Sequence, residues 1–576
     1  MKRFFIPILT LLLAFACTPD NGGNDGGGNN NGEYTPTGKI TVKGTVYGSD
    51  GPLKDVVVSD GLLCVKSNES GYFEIDSDLK TAKFIMVSTP SGYTAPLDST
   101  TQLPIFYHEI TAEERKSDNC IVKFNLLKIT DSDPNRYTMI IGADPQPRSS
   151  GATWDKIAYH SLEICKDFYL DMREKASNIT DRKVYGLMLG DIVHENMNLF
   201  QNYIDDGLKS LGFPMFNVLG NHDNDKSAAN DVEGRRKFEE KFGPTYYSFN
   251  IGKQHYIVLD NLIMKKEGGY LTAYDQGLTD EIWQWLQNDL RYVDRETTLM
   301  VAAHSPMFML TDMSDRSQSG GTKHGKDYAT LLAKYAKVHA WAGHTHTTFN
   351  YNYPEDHRFK SIEVHTVARS TGELWTNEYL ANGTPRGYTI VEVDGDEIEW
   401  QFKPTAYQTA KFTGATKKQP TFPHREYTFN EQGVAMLNGK KLSDSYQMQV
   451  YKPNVYTPSY NDLLEGKGDK AKYIYVDVFM WDDKWEKPKY NNGTRTITMS
   501  KVSPTEAYSL ANYELKNHYF TYWPISNSDP SGYFNKKETK SQYHTLFRAY
   551  DDRSKGSGTI TVTDRFGNEY TSKVSW

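Results

Sequence analysis

Between residues 131 and 403, five short apolar runs each lead into Asp, Asn or His, residue types that hold metal ions. Residues 137–143 lead into Asp144, in Gly142-Ala143-Asp144-Pro145-Gln146. Residues 184–189 lead into Asp191, in Gly190-Asp191-Ile192-Val193-His194-Glu195. Residues 215–219 lead into Gly220-Asn221-His222-Asp223, residues 298–303 into His304, and residues 338–342 into Gly343-His344-Thr345-His346. Short apolar runs bounded by turn residues read as buried strands. Helical spacing lies between them. Trp154, Ile157, Ala158, Leu162, Cys165, Phe168, Tyr169 and Met172 recur near 3.6 residues, and Thr279 caps a helix with Asp280 and Glu281 in its first turn and Ile282, Leu286 and Leu290 on one stripe. Strand–helix alternation predicts an α/β core, and the carboxyl ends of its strands share one rim where such groups converge.

Any one of these pieces alone is an ordinary turn or strand end. Five in succession, each after an apolar strand, are not explained that way. Histidine usage agrees: eleven of the 15 His fall in this segment, which is under half of the chain. Ser305 beside His304 lacks the glycines of a nucleophile elbow, and no phosphate-cradling Gly-rich Lys loop is present.

The order of these motifs, and above all Gly-Asn-His-Asp and Gly-His-x-His, resembles the calcineurin-like metallophosphoesterase superfamily over residues 131–403. The resemblance implies a central β-sandwich with flanking helices and two divalent metal ions, Mn, Fe or Zn, bridged by Asp191. One ion would take Asp144, Asp191 and His346, with Gln146 as a candidate fourth ligand. The other would take Asp191, the side-chain oxygen of Asn221, His304 and His344. His222 would not ligate; it would stand beside the scissile phosphate as electrostatic stabiliser and general acid, with Asp223 a candidate to orient it. The activity implied is hydrolysis of a phosphate mono- or diester by a hydroxide held on the dinuclear centre. Elementary electrostatics agrees. Metals about 3.5–4 Å apart need a shared anionic ligand, and a bound water's pKa can fall from 15.7 towards ~7. The positive surplus then attracts a phosphate.

One motif departs from the family, which usually has Asp-x-His where this chain has Asp144-Pro145-Gln146. A Gln oxygen is a weaker ligand than imidazole and favours a harder ion such as Mn²⁺ or Fe over Zn²⁺. His194 lies three residues after Asp191, where purple acid phosphatases place a ligating Tyr, so it is read as a ligand, as a group behind the ligands, or as structural. The alternative to an enzyme is an envelope lipoprotein that binds glycan or another surface through a degenerate phosphoesterase domain. Gln146 favours that alternative, and the remaining intact motifs oppose it.

The flanks have other grammar. Lys2 and Arg3 precede an apolar stretch from Phe4 to Ala16, the layout of a secretory signal, and Ala16-Cys17 resembles a lipoprotein lipobox. Lipidation at Cys17 is expected, with a signal peptide over 1–17 and a tether over 18–35. Residues 21–32 contain only Asn, Gly and one Asp, and cannot bury apolar surface. These features predict a lipid-anchored protein of the bacterial cell envelope, and the chain is expected to be a monomer. Short strands between Gly, Asp, Ser and Pro turns predict β-sandwiches over 36–130 and 404–576. Gly71-Tyr72-Phe73-Glu74-Ile75 resembles the signature hairpin of carboxypeptidase-regulatory-like sandwiches. An aromatic content of 13% supports β-rich flanks. Net charge is −8, against duplex nucleic-acid binding. Cys64, Cys120 and Cys165 cannot all pair; free thiols are expected, with Cys64–Cys120 the candidate bridge. For substrate contacts the candidates are Arg316, Lys323 and His324 on the long loop after Ser305, and Arg369 and Trp375 after the last motif.

Overall fold

The apolar runs are strands, divided between two facing sheets, the expected central sandwich with flanking helices. In the computed structural model the described residues are 38–148, 155–306, 323–346, 348–352, 359–372, 380, 384–405, 427–429, 435–437, 440–441, 444–451, 473–502, 545–553 and 555–576. Cys17, the tether, Arg316 and Trp375 lie outside them. Residues 40–576 form one packed unit.

The central elements are Arg136–Gly142 (β1), Asp155–Ser177 (α1), Lys183–Met188 (β2), Met215–Asn217 (β3), Tyr247–Ile251 (β4), Gln254–Leu259 (β5), Leu262–Glu267 (β6), Tyr270–Gln276 (β7), Asp280–Asp289 (α2), Thr298–Ala303 (β8), Gly325–Leu332 (α3), Lys337–Ala342 (β9), Phe349–Asn352 (β10), Ile362–Thr366 (β11), Gly387–Asp394 (β12) and Glu397–Pro404 (β13). The first sheet has the order β3-β2-β1-β12-β13, and the second β4-β5-β8-β9-β11-β10. Within them β1, β2 and β3 are parallel, as are β5, β8, β9 and β11. Parallel strands are covered on both faces, which is why these read as unbroken apolar runs.

Period-two alternation sends successive side chains to different layers. Met139 and Ile141 face the second sheet, packing with Tyr256, Val258 and Met300. Ile140 points the other way, onto Phe168, Tyr169 and Met172 of α1. On the far side Ile257, Leu299 and Val301 pack against Ile282, Trp285 and Leu286 of α2 and Tyr328 and Leu332 of α3. The result is a helix–sheet–sheet–helix stack. The Thr279 hydroxyl accepts from the Ile282 amide at 3.3 Å, the expected cap, worth about 1 kcal/mol.

The flanks are β-rich. Val42–Gly48 pairs in parallel with Cys120–Lys128 and antiparallel with Tyr72–Ile75, the predicted hairpin strand. A second sheet carries Val57–Ser59, Cys64–Lys66, Phe84–Val87 and Tyr107–Glu109. This layer docks on β4 through Phe106 against Tyr247, ring centroids 4.6 Å apart, and the Tyr246 hydroxyl donates to the Gly61 carbonyl. At the other end Tyr473–Val478, Leu546–Tyr550, Ser557–Thr563 and Glu569–Ser575 build two sheets around Ile474, Val476, Phe547, Ile560 and Val562. They meet the centre where Phe566 packs on Trp400 and where Glu363 takes Arg565 and Lys484. Cys64, Cys120 and Cys165 are free thiols. Among the described residues no helix is long and apolar enough to cross a membrane.

Candidate metal centre

The loops after β1, β2, β3, β8 and β9 gather at one end of the two sheets. Asp144, Gln146, Asp191 and His304 are buried there. Ligand atoms of Asp144, Asp191 and His346 all lie within 4.8 Å of one another. The His346 Nε2 is 3.6 Å from Asp144 Oδ1. Beside them, His304 Nε2 stands 3.4 Å from Asp191 Oδ1 and 3.1 Å from His344 Nδ1. Gln146 donates its amide to Asp191 Oδ2 at 2.5 Å. The structure thus brings together Asp144, Gln146, Asp191 and His346 on one side and Asp191, His304 and His344 on the other, with Asp191 between the two sets.

Close packing and backbone strain hold these loops. A Cβ on Gly220 would fall 2.2 Å from Asp191 Oδ1, and one on Gly343 2.4 Å from Asp144 Oδ2, so only glycine admits the carboxylates. Asp144, Gln146, Asp191, Glu195, His344 and His346 all have positive φ, between 43° and 65°. Such conformations are costly for non-glycine residues and concentrate at functional sites.

The donor set fits a pair of divalent cations. The Asn221 Oδ1 is buried and has no hydrogen-bond partner among the described residues, which leaves a lone pair for a cation. The His304 Nδ1–H donates to the Leu189 carbonyl at 2.7 Å, so its Nε2 turns a lone pair inward. Burial opposes charge on both Asp191 and His304, yet each holds the other ionised. Asp191 lies far below the usual carboxylate range because of His304 and His222, and His304 lies above the usual histidine range because of Asp191. A site that draws an imidazolium this strongly is suited to positive charge.

His222 stands on the wall of this centre, with its backbone amide donating to Asp191 Oδ1 at 2.9 Å. The expectation that Asp223 orients it is corrected by the hydrogen bonds. Asp223 is fully buried and accepts from the Val193 and Gly220 amides, stapling two ligand loops. Burial, then the charge of Asp191, pushes its carboxyl up to about 7. The group on the His222 ring is Glu195, whose Oε1 lies 3.2 Å from Nδ1, and Lys226 pairs with the same oxygen. His194 stacks on His222, ring centroids 4.3 Å apart, and groups with Glu195 and His222 instead of with Asp144 and Asp191.

The candidate substrate contacts fare less well. Lys323 and His324 both bond Asp280 at 2.7 Å, which anchors the end of their loop. Arg369 is fully buried and its backbone bridges to Ala143, so it is not an open wall. Two residues at the site had no sequence signal. Lys226 follows Gly-Asn-His-Asp without belonging to a motif. Tyr274, one of 39 Tyr, reaches His344 from β7, its hydroxyl 3.1 Å from Nε2.

Residues 40–128 match the N-terminal model of calcineurin-like phosphoesterase, 108–348 the calcineurin-like phosphoesterase model itself, and 364–570 the C-terminal model of the same family. A probable purple acid phosphatase of Arabidopsis thaliana is 32% identical over 145 residues, 23% of this chain and 31% of that protein. A probable glycerophosphodiester phosphodiesterase of Arcobacter nitrofigilis is 27% identical over 195 residues, 33% of this chain and 66% of that protein. This chain therefore spans less than two thirds of either relative. Among solved structures, a dimetal phosphatase from Danio rerio aligns with 47% of this chain and 97% of its own, at 12% identity and a TM-score of 0.34. Purple acid phosphatase from Lupinus luteus seeds aligns with 48% of this chain and 52% of its own, at 14% identity and a TM-score of 0.32. With the ligand loops of 131–403 and both flanks matched by models of one family, this chain belongs to the calcineurin-like phosphoesterases and carries their N- and C-terminal extensions.

Proposed function

We propose that this chain is a metal-dependent phosphoric ester hydrolase acting on a phosphate mono- or diester. The observation that carries this reading is the convergence of Asp144, Asp191, His304, His344 and His346 on two adjoining donor sets that share Asp191, with the buried, unpartnered Asn221 Oδ1 on the loop beside them. Two divalent cations there would supply Lewis-acid polarisation of the phosphoryl oxygens and a water acidic enough to attack at neutral pH. Asp144, Asp191 and His346, with Gln146, would hold one; Asp191, Asn221, His304 and His344 would hold the other. The remaining chemistry belongs to His222. With Nδ1 held by Glu195, its Nε2 is free to give a proton to the departing alkoxide. The His222 ring, outweighing burial together with Lys226, keeps the Glu195 carboxyl down at about 2, so Glu195 stays ionised and anchors the ring.

The two relatives, named a phosphatase and a phosphodiester hydrolase, support this class and keep both ester types in it. The proposed setting is the bacterial cell envelope, reached through an acylated Cys17, with the chain working as a monomer. The intact ligand loops weigh against the non-catalytic alternative.

The test is hydrolysis of a mono-, di- and pyrophosphate panel under Mn²⁺, Fe²⁺ and Zn²⁺, with metal content measured on the same samples. Wild type is expected to hold two equivalents and to turn over at least one ester class. Asp191→Asn is expected to lose metal and activity together. Full activity with normal metal content in that variant would refute the shared ligand. A metal-loaded wild type inert on the whole panel would favour the glycan-binding alternative. Membrane fractions of wild type and Cys17→Ser, assayed alongside, test the anchor; retention of the variant in membranes removes it.

A further inference from the structure

We infer that Tyr274 is a positioning residue for the cation held by Asn221, His304 and His344, acting through His344; this rests on the metal-dependent reading above. Tyr274 lies on β7, which among the described residues pairs with β6 alone and belongs to neither central sheet. This hairpin is nonetheless fixed. Leu262, Met264 and Leu271 are buried, the Leu271 amide donates to the Lys226 carbonyl at 2.9 Å, and the Met264 amide donates to Asp231 at 2.7 Å. At its base the Gly277 amide donates to the Asn261 carbonyl, and the Asn261 side chain clamps Ser305, next to His304. The hairpin is therefore braced against the loops that carry the ligands, and it delivers a phenol to one of them.

Imidazole chemistry gives that phenol its task. An imidazole binds a cation through one nitrogen, and the other carries the hydrogen. His344 turns Nδ1 to the shared centre, 3.1 Å from His304 Nε2. Its Nε2–H must then find an acceptor, and the Tyr274 oxygen stands 3.1 Å away with the rings nearly perpendicular at 74°. His304 has the same arrangement with the Leu189 carbonyl. Each imidazole of this cation thus has an outer acceptor that selects its tautomer and ring angle. The carbonyl comes with the β2 strand end. The phenol comes from an element outside both sheets, so this half of the site depends on one side chain. Tyr274 is half-buried and is not among the core side chains, so packing does not account for it.

The experiment compares wild type, Tyr274→Phe and, as a control, Tyr270→Phe at the exposed hairpin tip. Release of each Zn²⁺ equivalent is followed by chelator competition, and Co²⁺-substituted protein by its visible absorption. In Tyr274→Phe one equivalent is expected to be held as in wild type and the other about 10- to 100-fold more weakly. The Co²⁺ band should change, with the melting temperature of the metal-free protein unmoved. Tyr270→Phe should match wild type. Two equivalents held normally in Tyr274→Phe would overturn the assignment. So would loss of both together, or a lowered melting temperature of the metal-free protein, since either marks a merely structural role. A wild type that binds no metal pair would instead bring down the functional reading, and this inference with it.

Discussion

Glu195 and Asp223 show how the same residue type divides its work at this site. Both are carboxylates beside ligand loops. Asp223 spends its oxygens on two backbone amides and is sealed from solvent, whereas Glu195 sits at the open rim with His222 and Lys226. Only the second can respond to a change of charge on the ring. His222→Ala is therefore expected to keep both metals and to lose about 10²-fold or more in turnover on alkyl esters, whose leaving groups need a proton. The loss should be small on nitrophenyl esters. Glu195→Gln should show a smaller loss with the same leaving-group pattern. A loss uniform across leaving groups would assign His222 to charge stabilisation instead. His194, stacked on the opposite face of that ring, extends this wall and leaves Gln146 as the side chain beside Asp191 in the first motif.

At the level of elements, a strand ends, a glycine turns, and a candidate ligand follows, after β2, β3 and β9. The turns are shaped by contact between loops from different strands. The Gly220 backbone lies against Asp191, on a loop that starts one strand away. Gly220→Ala should leave β3 intact but push the Asp191 loop aside, costing about 1–3 kcal/mol by overpacking and abolishing uptake of the metal pair. Thermal melts and metal analysis on the same variant check both parts. Local spacing made these loops legible, because each ligand lies within a few residues of its own strand. It left Tyr274 unreadable, because alternation along β7 looks the same whether the hairpin points at a cation site or at water.

On the scale of the whole molecule, both flanking layers are welded to the centre. Glu363 on β11 joins Arg565 and Lys484 of the C-terminal layer. Burial would raise its carboxyl, but His365 and Arg565 outweigh this and hold it down at about 2. A carboxyl lowered on folding contributes stability above its unfolded pKa of 4.5, and that contribution is lost as pH falls towards about 2. Wild type should therefore weaken through this acid window. Glu363→Gln, which leaves Arg565 paired with Asp482 alone, should cost about 1.5–3 kcal/mol at neutral pH and flatten the dependence. Urea unfolding of both proteins between neutral pH and the acid limit measures the difference. A parallel pH dependence in the two would assign the acid sensitivity elsewhere.

The amino-acid sequence by itself determined which candidate donor side chains are present and the order in which they occur. That information is local: an apolar run, a turn and a donor lie within a few residues of one another. Tertiary structure decided that Glu195 and not Asp223 attends His222, and that Tyr274 stands behind His344. These are pairings across 27 and 70 residues. Periodicity says that a segment has a buried face, but only packing chooses what that face, and the polar group at its edge, will meet.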